Sequence, residues 1–354
     1  MRRAIDLARR GLGRTGSNPS VGCVIVLDGR CIGRGVTADG GRPHAETMAL
    51  AQAGPNAAGA TAYVTLEPCA HTGQTPPCAD ALINAGLERI VIAQRDPDPR
   101  VNGGGIARLV GAGLSCTLGV LENHARDVTA GFLSRIQNGR PFVTLKLATT
   151  LDGRIAMATG ESRWITQSAA RRATHMLRSQ HDAVLVGSGT VASDNPMLDV
   201  RDMGSLPSPV RVIVTGSKRL PDDCRLLQTA TQIPVWIISS GTDTLQSLPG
   251  VTHVPAAIDD GKIQMSDALE HLAKKGINRI LCEGGGRIAA SLLNADLVDE
   301  VVLFQAGKVI GASGVASIAE IARPNLAAVP KFDLISTNPV GPDQMSIWRR
   351  RSAD

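Results

Sequence analysis

Aromatic residues are scarce in this chain: Phe, Tyr and Trp together make up 2% of its 354 residues. The chain contains no apolar run long enough to cross a membrane, and its first residues carry too much charge for a secretory signal. The formal net charge is +5, but no basic run is interleaved with aromatic residues in the manner of a nucleic-acid surface. This positive charge is equally suited to binding phosphorylated small molecules.

The chain has seven cysteines, an odd number, whereas a domain held together by disulfides usually has an even number. Cys69 and Cys78 belong to a motif described below, and the other five are scattered along the chain. This usage favours a reducing, cytoplasmic compartment.

The chain has no internal repeat or low-complexity tract, and its length suits two domains of ordinary size. In its first part, apolar runs alternate with helical patterns, which predicts a mostly parallel sheet with helices on both faces, a three-layer α/β/α arrangement. The N-terminal residues suit an amphipathic helix. The predicted strands are 21–27, 31–33, 61–66, 89–93 and 115–120, and the further predicted helices are 44–53, 79–85 and 106–112.

A helical pattern over 121–137 leads out of this part, and residues 138–141 (NGRP) have the composition of a linker. We therefore predict two domains, 1–139 and 140–354. The second is again α/β. Its predicted strands are 142–147, 182–186, 210–214, 234–238, 279–282 and 298–304, and its predicted helices are 167–179, 266–275 and 288–293.

The strongest functional signal comes from His44, with Glu46 two residues later, and from Cys69 and Cys78, each preceded by proline. One imidazole and two thiolates can hold zinc and leave a fourth position open for water, whose pKa the metal lowers. Glu46 is then free to carry protons to a ring nitrogen and to the leaving amine. This equipment is typical of hydrolytic deamination of a nucleobase-like ring.

Eight residues separate the two cysteines, where deaminases usually have two, so a loop is expected beside the metal. His71 in this loop is an alternative ligand to His44. We favour His44 because the acid/base Glu46 accompanies it, and we expect His71 to contact the substrate. Cys78 follows two prolines, which predicts a place near a helix N-terminus, where the dipole favours a thiolate.

In the second half, three glycines (284–286) stand between a predicted strand and a predicted helix, where backbone N–H groups can bind a pyrophosphate. The pattern is not G-x-G-x-x-G, so a standard Rossmann unit is not indicated. Trp164 suits a lid or a stacking platform, and Arg178 and Arg201 are candidate phosphate clamps. A tight turn, a capped helix start and ordinary surface charge explain the same residues equally well.

These motifs resemble the bifunctional deaminase/reductase family of bacterial riboflavin biosynthesis, and the resemblance covers nearly the whole chain. In the first half it rests on 17–22 (SNPSVG), 41–46 (GRPHAE), 65–71 (TLEPCAH) and 75–80 (TPPCAD). In the second half it rests on 144–146 (TLK), 151–153 (LDG), 160–162 (GES), 164–166 (WIT), 194–196 (DNP) and 283–285 (EGG). The long spacing between the cysteines resembles this family and differs from cytidine and tRNA-adenosine deaminases.

The resemblance implies a cytidine-deaminase-like three-layer domain followed by a dihydrofolate-reductase-like α/β domain, with Zn2+ and NADPH as cofactors. The first would deaminate 2,5-diamino-6-ribosylamino-4(3H)-pyrimidinone 5′-phosphate. The second would then reduce the ribosyl group of the product to a ribityl chain. We expect a cytoplasmic homo-oligomer that acts on this small molecule and has no nucleic-acid or membrane partner.

By matching motif, the resemblance assigns zinc to His44, Cys69 and Cys78, proton donation to Glu46 and pyrimidine binding to Asn18. The cofactor contacts that it implies are Ala148, Trp164, Thr190, Asp194, Gly285, Gly286 and Arg287. The reductase substrate contacts that it implies are Ser162, Arg178, Leu198, Arg201 and Glu283. No catalytic residue is assigned in that half, because hydride transfer depends mainly on positioning.

The chain departs from the family pattern at three places. Gln74 stands where a basic residue is usual, Gly104 where lysine is frequent, and Thr215-Gly216 where Asp-Ser is common. The first predicted helix begins at the start of the chain, which is consistent with an upstream start codon.

Two other hypotheses stay open at this point. One is a nucleic-acid or nucleoside deaminase with a non-catalytic C-terminal binding module. The other is a degraded reductase half that only supports oligomerisation.

Overall fold

The computed structural model describes residues 1–73, 76–162, 164–216, 220–221, 223–241 and 248–351. The chain divides into two compact units, Met1–Gly139 and Arg140–Asp354. Among the described residues, no helix combines the length and the apolar character that crossing a bilayer requires.

The described part of the first unit is a five-stranded sheet covered by helices. The strands are β1 (Gly22–Leu27), β2 (Arg30–Val36), β3 (Thr61–Val64), β4 (Arg89–Ile92) and β5 (Ser115–Leu118). The helices are α1 (Arg2–Arg10), α2 (Ala45–Ala53), α3 (Cys78–Asn84), α4 (Gly104–Gly111) and α5 (Glu122–Asn138), with short 3-10 turns at Asp39–Gly41 and Gly54–Ala57.

The strand order of this sheet is β2-β1-β3-β4-β5. The expected mostly parallel sheet is wrong for this unit, because β1 pairs antiparallel with both β2 and β3. Only β3, β4 and β5 run parallel. The tight turn at Asp28 and Gly29 forces the first antiparallel pair, because a two-residue connection can only join antiparallel neighbours.

Two helices lie directly against bare strand backbone in this unit. A Cβ atom at Gly35 would overlap the carbonyl oxygen of Ala45, and one at Gly33 would overlap that of Ala49. Both carbonyls belong to α2. On β1, Gly22 plays the same role against Ala4 of α1. The small residues of α2 therefore let this helix, which begins beside His44, settle closely onto β1 and β2.

The described part of the second unit is a nine-stranded sheet with two small two-stranded sheets attached. Its strands are β6 (Phe142–Thr150), β7 (Arg154–Ala156), β8 (Ala183–Gly187), β9 (Val210–Val214), β10 (Val235–Ser239), β11 (Val251–Pro255), β12 (Ile258–Asp259), β13 (Lys262–Ile263), β14 (Arg279–Cys282), β15 (Glu300–Ala306), β16 (Val315–Ala316), β17 (Phe332–Val340) and β18 (Asp343–Arg350). Its helices are α6 (Ser168–Ser179), α7 (Ser188–Asp194), α8 (Arg225–Gln228), α9 (Met265–Lys274) and α10 (Gly286–Asn294), with a 3-10 turn at Leu326–Ala328.

The order of the large sheet is β11-β10-β9-β8-β14-β6-β15-β18-β17. It is parallel from β11 to β15, and β17 and β18 form an antiparallel hairpin at its edge. Apolar clusters cover both faces of the parallel part, one centred on Leu145 and Leu185 and the other on Val184 and Ile213. Each such fully buried side chain contributes about 1.5–3 kcal/mol through removal from water. The carboxyl ends of the parallel strands meet along one edge, where a ligand site is expected.

Candidate functional site

Three elements of the first unit deliver the predicted metal ligands. His44 occupies the N-cap position of α2, with extended backbone angles that end the preceding loop. Cys69 lies in the loop that follows β3, and Cys78 is the first residue of α3 after Pro77. Proline at that place presets the start of the helix, as the sequence predicts for Cys78.

The ligand atoms of these three residues lie within 4.8 Å of one another. His44 Nδ1 is 3.3 Å from Cys78 Sγ and 3.7 Å from Cys69 Sγ. A tetrahedral zinc ion with ordinary bond lengths separates nitrogen and sulfur ligands by about 3.6 Å. The donor set and its spacing therefore fit zinc. In the part of the chain that the structure describes, His71 does not belong to this cluster.

The two sulfurs share negative charge. Hydrogen bonding by Cys78 and His44 lowers the pKa of Cys69 to about 4, and the neighbouring Cys69 thiolate together with burial raises the pKa of Cys78. The backbone N–H of Cys78 also donates to Cys69 Sγ at 3.3 Å. A dication would meet an anionic sulfur pair here, which is the environment that zinc prefers.

Glu46 lies in the first turn of α2 and is almost fully buried. Burial raises the pKa of its carboxyl to about 7, although His44 opposes the shift. A cavity of about 100 Å³ opens beside it, and Asn18 and His71 line this cavity. His71 Nδ1 is buried and has no hydrogen-bond partner among the described residues.

Glu67, two residues before Cys69, connects the loop that carries Cys69 to Asp96 and the start of α4 on the opposite side of this cavity. Its buried carboxylate accepts the backbone N–H groups of Asp96 at 3.2 Å, Gly103 at 3.0 Å and Ile106 at 3.1 Å. Two of these donors belong to the start of α4 and its N-cap, where the helix leaves N–H groups unsatisfied. Asp96 lines the cavity, so Glu67 determines how close this side of the cavity stands to Cys69.

The second unit has a larger cavity of about 720 Å³ along the carboxyl ends of its parallel strands. Among the predicted cofactor residues, six line it: Ala148, Thr190, Asp194, Gly285, Gly286 and Arg287. The predicted substrate residues Ser162 and Glu283 line it as well. Gly285 is the N-cap of α10, and its N–H lies 3.3 Å from Thr190 Oγ1.

The glycine turn fits a dinucleotide because side chains are excluded there. A Cβ at Gly284 would press on Ile288 and on the backbone N of Gly187, and one at Gly286 on the backbone of residues 316–319. The same three glycines (284–286) line the cavity in front of α10, where the N–H groups at the helix start and the helix dipole favour a pyrophosphate.

Several predicted residues lie outside this lining. Arg178 is buried behind it in an ion pair with Glu283. Leu198 is buried in the apolar cluster with Ile213, and Arg201 is exposed and paired with Asp199 at 2.6 Å. Trp164 is 60% exposed, and its ring stacks against Arg171 at 4.3 Å. Gln74, one of the three departures from the family pattern, lies outside the described residues.

The structure also brings in residues that the sequence analysis did not select. Arg42 and Asp96 line the small cavity, and Lys146, Ser188 and Lys262 line the large one. Lys146 belongs to the 144–146 motif, and Asp96 follows a predicted strand, so a signal existed for both. Lys262 lies in a short hairpin that no periodicity indicates.

The fold and the two sites define the class of protein: a zinc-dependent deaminase unit of the cytidine-deaminase type, followed by a reductase unit of the dihydrofolate-reductase type. The family models agree with this division. The cytidine and deoxycytidylate deaminase zinc-binding region matches residues 1–94, and the RibD C-terminal domain matches residues 141–345.

Similar proteins cover both units. The chain is 41% identical to the riboflavin biosynthesis protein RibD of Haemophilus influenzae and 40% identical to that of Escherichia coli, over 97% of this chain and 94% and 96% of the relatives. Among solved structures, Acinetobacter baumannii RibD superposes with a TM-score of 0.90 at 38% identity, covering 99% of this chain and 98% of that one. A diaminohydroxyphosphoribosylaminopyrimidine deaminase/5-amino-6-(5-phosphoribosylamino)uracil reductase of Thermotoga maritima does so with a TM-score of 0.88 at 35% identity, covering 99% and 97%.

The chain belongs to the RibD family of riboflavin biosynthesis proteins. It is a bifunctional deaminase and reductase, with zinc and NADPH as cofactors. The family match over both units argues against a nucleic-acid or nucleoside deaminase with a non-catalytic C-terminal binding module. Measurement of NADPH binding by the chain tests the hypothesis of a degraded second half.

Proposed function

We propose that the first unit deaminates 2,5-diamino-6-ribosylamino-4(3H)-pyrimidinone 5′-phosphate and that the second unit reduces the ribosyl group of the product to ribityl. One observation carries the first assignment. The buried carboxyl of Glu46 lies beside the clustered ligand atoms of His44, Cys69 and Cys78, and all but Cys78 face the small cavity.

When bound, zinc supplies the nucleophile by lowering the pKa of water at its open position. Glu46 would take one proton from the attacking water and deliver it to the ring nitrogen next to the amino-bearing carbon. It would then take the proton of the hydroxyl now on that carbon and pass it to the amine, so that the carbonyl forms as ammonia leaves and both hydrogens of the water are accounted for. Asn18 and His71 hold the ring by its polar edge, because both line the cavity and His71 Nδ1 has no partner among the described residues.

When bound, NADPH supplies the hydride in the second unit. Thr190, Asp194 and the turn from Gly285 to Arg287 hold the cofactor along the cavity. Ser162 and Glu283 contact the substrate at the β6 end of the cavity, and Arg178 keeps the Glu283 carboxylate in place. Leu198 and Arg201 belong to a segment whose Asp199 carbonyl accepts Arg178 Nη1 at 3.0 Å, which brings this segment to the same end.

The proposal also covers compartment, oligomeric state and partners: the protein is a cytoplasmic homo-oligomer without nucleic-acid or membrane partners. All seven cysteines are free, which supports a reducing compartment. Leu334 and Ile335 on the edge strand β17 are 51% and 56% exposed, which supports contact with a second copy through this edge. Light scattering of the purified chain tests the oligomeric state.

Ammonia release, NADPH consumption and metal content of the same purified sample test the two activities together. We expect about one zinc per chain, ammonia release without NADPH, and NADPH consumption that follows deamination. NADPH consumption without any ammonia release from the diamino substrate would contradict the assignment of the first unit.

A further inference from the structure

The large cavity has two chemically different ends. Lys146, Ser162 and Glu283 lie at one end, beside β6. Gly216, after β9, and Lys262, in the hairpin that follows β11, line the cavity together with the apolar residues Val214, Ile263 and Met265. Because β9, β10 and β11 occupy the side of the sheet away from β6, these residues form the other end. Strands β14 and β8 separate β6 from β9, so the two ends are three strand spacings apart, about 14 Å. The glycine turn before α10 lies between them.

The difference between the two ends determines which way the cofactor lies along the cavity, if the proposed reductase function holds. The nicotinamide must lie beside the substrate at the β6 end. The pyrophosphate then lies over the N-terminus of α10, and the adenosine half reaches the β9 end. Apolar side chains there suit the adenine ring, and a cation there is within reach of the adenosine ribose.

We infer that Lys262 recognises the 2′-phosphate of NADPH and so distinguishes this cofactor from NADH. Lys262 is exposed at the cavity margin and forms no ion pair with the described residues. The inference rests on the proposed function and adds a specificity residue to it.

The hairpin that carries Lys262 is well defined. Asp259 pairs with Lys262 across the turn, and the two residues between them, Asp260 and Gly261, have positive φ angles of 45° and 69°. This is the turn geometry that matches the twist of a two-stranded hairpin. It presents Lys262 from a fixed backbone position to the end of the cavity, although the side chain itself is long.

Arg287 is the other cation to be considered. It is exposed in the first turn of α10 and lines the same cavity. Its place at the helix N-terminus assigns it to the pyrophosphate, which NADPH and NADH share. The two residues are therefore expected to differ in effect: Arg287 contributes to the binding of both NADPH and NADH, whereas Lys262 contributes only to the binding of NADPH, which has the additional phosphate.

Calorimetric titration of the full zinc-loaded chain with adenosine 2′,5′-bisphosphate, adenosine 5′-monophosphate, NADPH and NADH tests the inference. For Lys262→Ala and Lys262→Gln we expect affinity for NADPH and the bisphosphate to fall about tenfold, as for loss of an exposed charge-assisted contact. Affinity for NADH and the monophosphate should not change. Arg287→Ala should weaken NADPH and NADH by similar factors.

The matched control is Lys274→Ala, which removes an exposed lysine that pairs with Glu270 on α9 and should change none of the four affinities. An unchanged ratio of NADPH to NADH affinity in both Lys262 variants would overturn the inference. Absence of NADPH binding by the unmodified chain is a different result, because it would overturn the reductase assignment itself.

Discussion

Arg178 and Glu283 form a two-pronged ion pair behind the large cavity, with Nε 2.6 Å from Oε1 and Nη2 3.0 Å from Oε2. Their side chains are only 12% and 9% exposed. Burial alone would raise the pKa of Glu283, but Arg178 and Lys146 hold it below its usual value. A carboxylate that lines the cavity is thus kept charged by a partner, Arg178, that does not line it.

Replacing Arg178 alone should therefore lower the stability of the second unit more than replacing Arg178 and Glu283 together. Arg178→Met leaves a buried, unpaired carboxylate and should lower the free energy of unfolding of the second unit by about 3–5 kcal/mol. The double variant Arg178→Met/Glu283→Leu should recover much of this loss without recovering reductase activity. Tryptophan fluorescence during urea unfolding measures it, because all three tryptophans (164, 236 and 348) lie in the second unit. Equal instability of the single and double variants would contradict this account.

Glu46→Gln should remove ammonia release while leaving the second reaction intact. The amide keeps the size of the side chain but cannot carry a proton, so deamination should fall by about 10²–10⁴-fold. Zinc content should stay near that of the unmodified chain, because Glu46 is not a ligand. NADPH oxidation on the already deaminated substrate serves as the internal control. A parallel fall in both rates would mean that the two activities do not use separate sites.

Glu67→Gln tests the link between the cysteine loop and the wall formed by Asp96 and α4. The amide group of glutamine would face a backbone N–H that the carboxylate now accepts, and leaving a buried donor unpaired costs about 1–3 kcal/mol. We expect lower stability of the first unit, measured by the urea concentration at which zinc is released. The matched control is Glu88→Gln, an exposed residue just before β4 in the same unit. An unchanged midpoint for Glu67→Gln would show that this anchor is dispensable.

His181 should make the second unit sensitive to acid. It is buried, Nδ1 donates to the Leu177 carbonyl at 2.6 Å, and Nε2 lies 3.0 Å from the Thr144 hydroxyl oxygen. Burial lowers its pKa from 6.5 to about 3, so between these values the unfolded chain binds a proton that the folded chain does not. Stability should fall by about 1.4 kcal/mol per pH unit as pH drops through this window. Comparing His181→Gln with the unmodified chain from pH 6.5 to 4 isolates this share, and identical slopes would refute it.

Local signals were sufficient for much of this molecule. The Asp28-Gly29 turn predicts the β1–β2 hairpin, and two prolines predict the helix that begins at Cys78. The strand that ends at Val64 and the helix that begins after His44 follow from apolar runs and alanine-rich periodicity. The structure brings His44, Cys69 and Cys78 together because each stands at the boundary of such an element.

Other features depend on strand order, which no local pattern reveals. Lys146 and Lys262 line opposite ends of one cavity because β6, β14, β8 and β9 are neighbours in the sheet. The β17–β18 hairpin escaped prediction because most side chains of β17 are exposed and show no alternation. The antiparallel pairing of β1 with β3 was likewise missed, since alternating strands and helices favour a parallel arrangement.

The close seating of α2 on Gly33 and Gly35 has a consequence for how the deaminase unit tolerates change. His44 and Glu46 belong to the start of this helix and would shift if it shifted, whereas both sulfurs belong to other segments. A single methyl group added on β2 would push the imidazole and the carboxyl away from the thiolates together, with every reactive group still present. Zinc binding can thus be lost through substitution of Gly33 or Gly35, which take no part in the chemistry and only need to be small enough for α2 to pack against them.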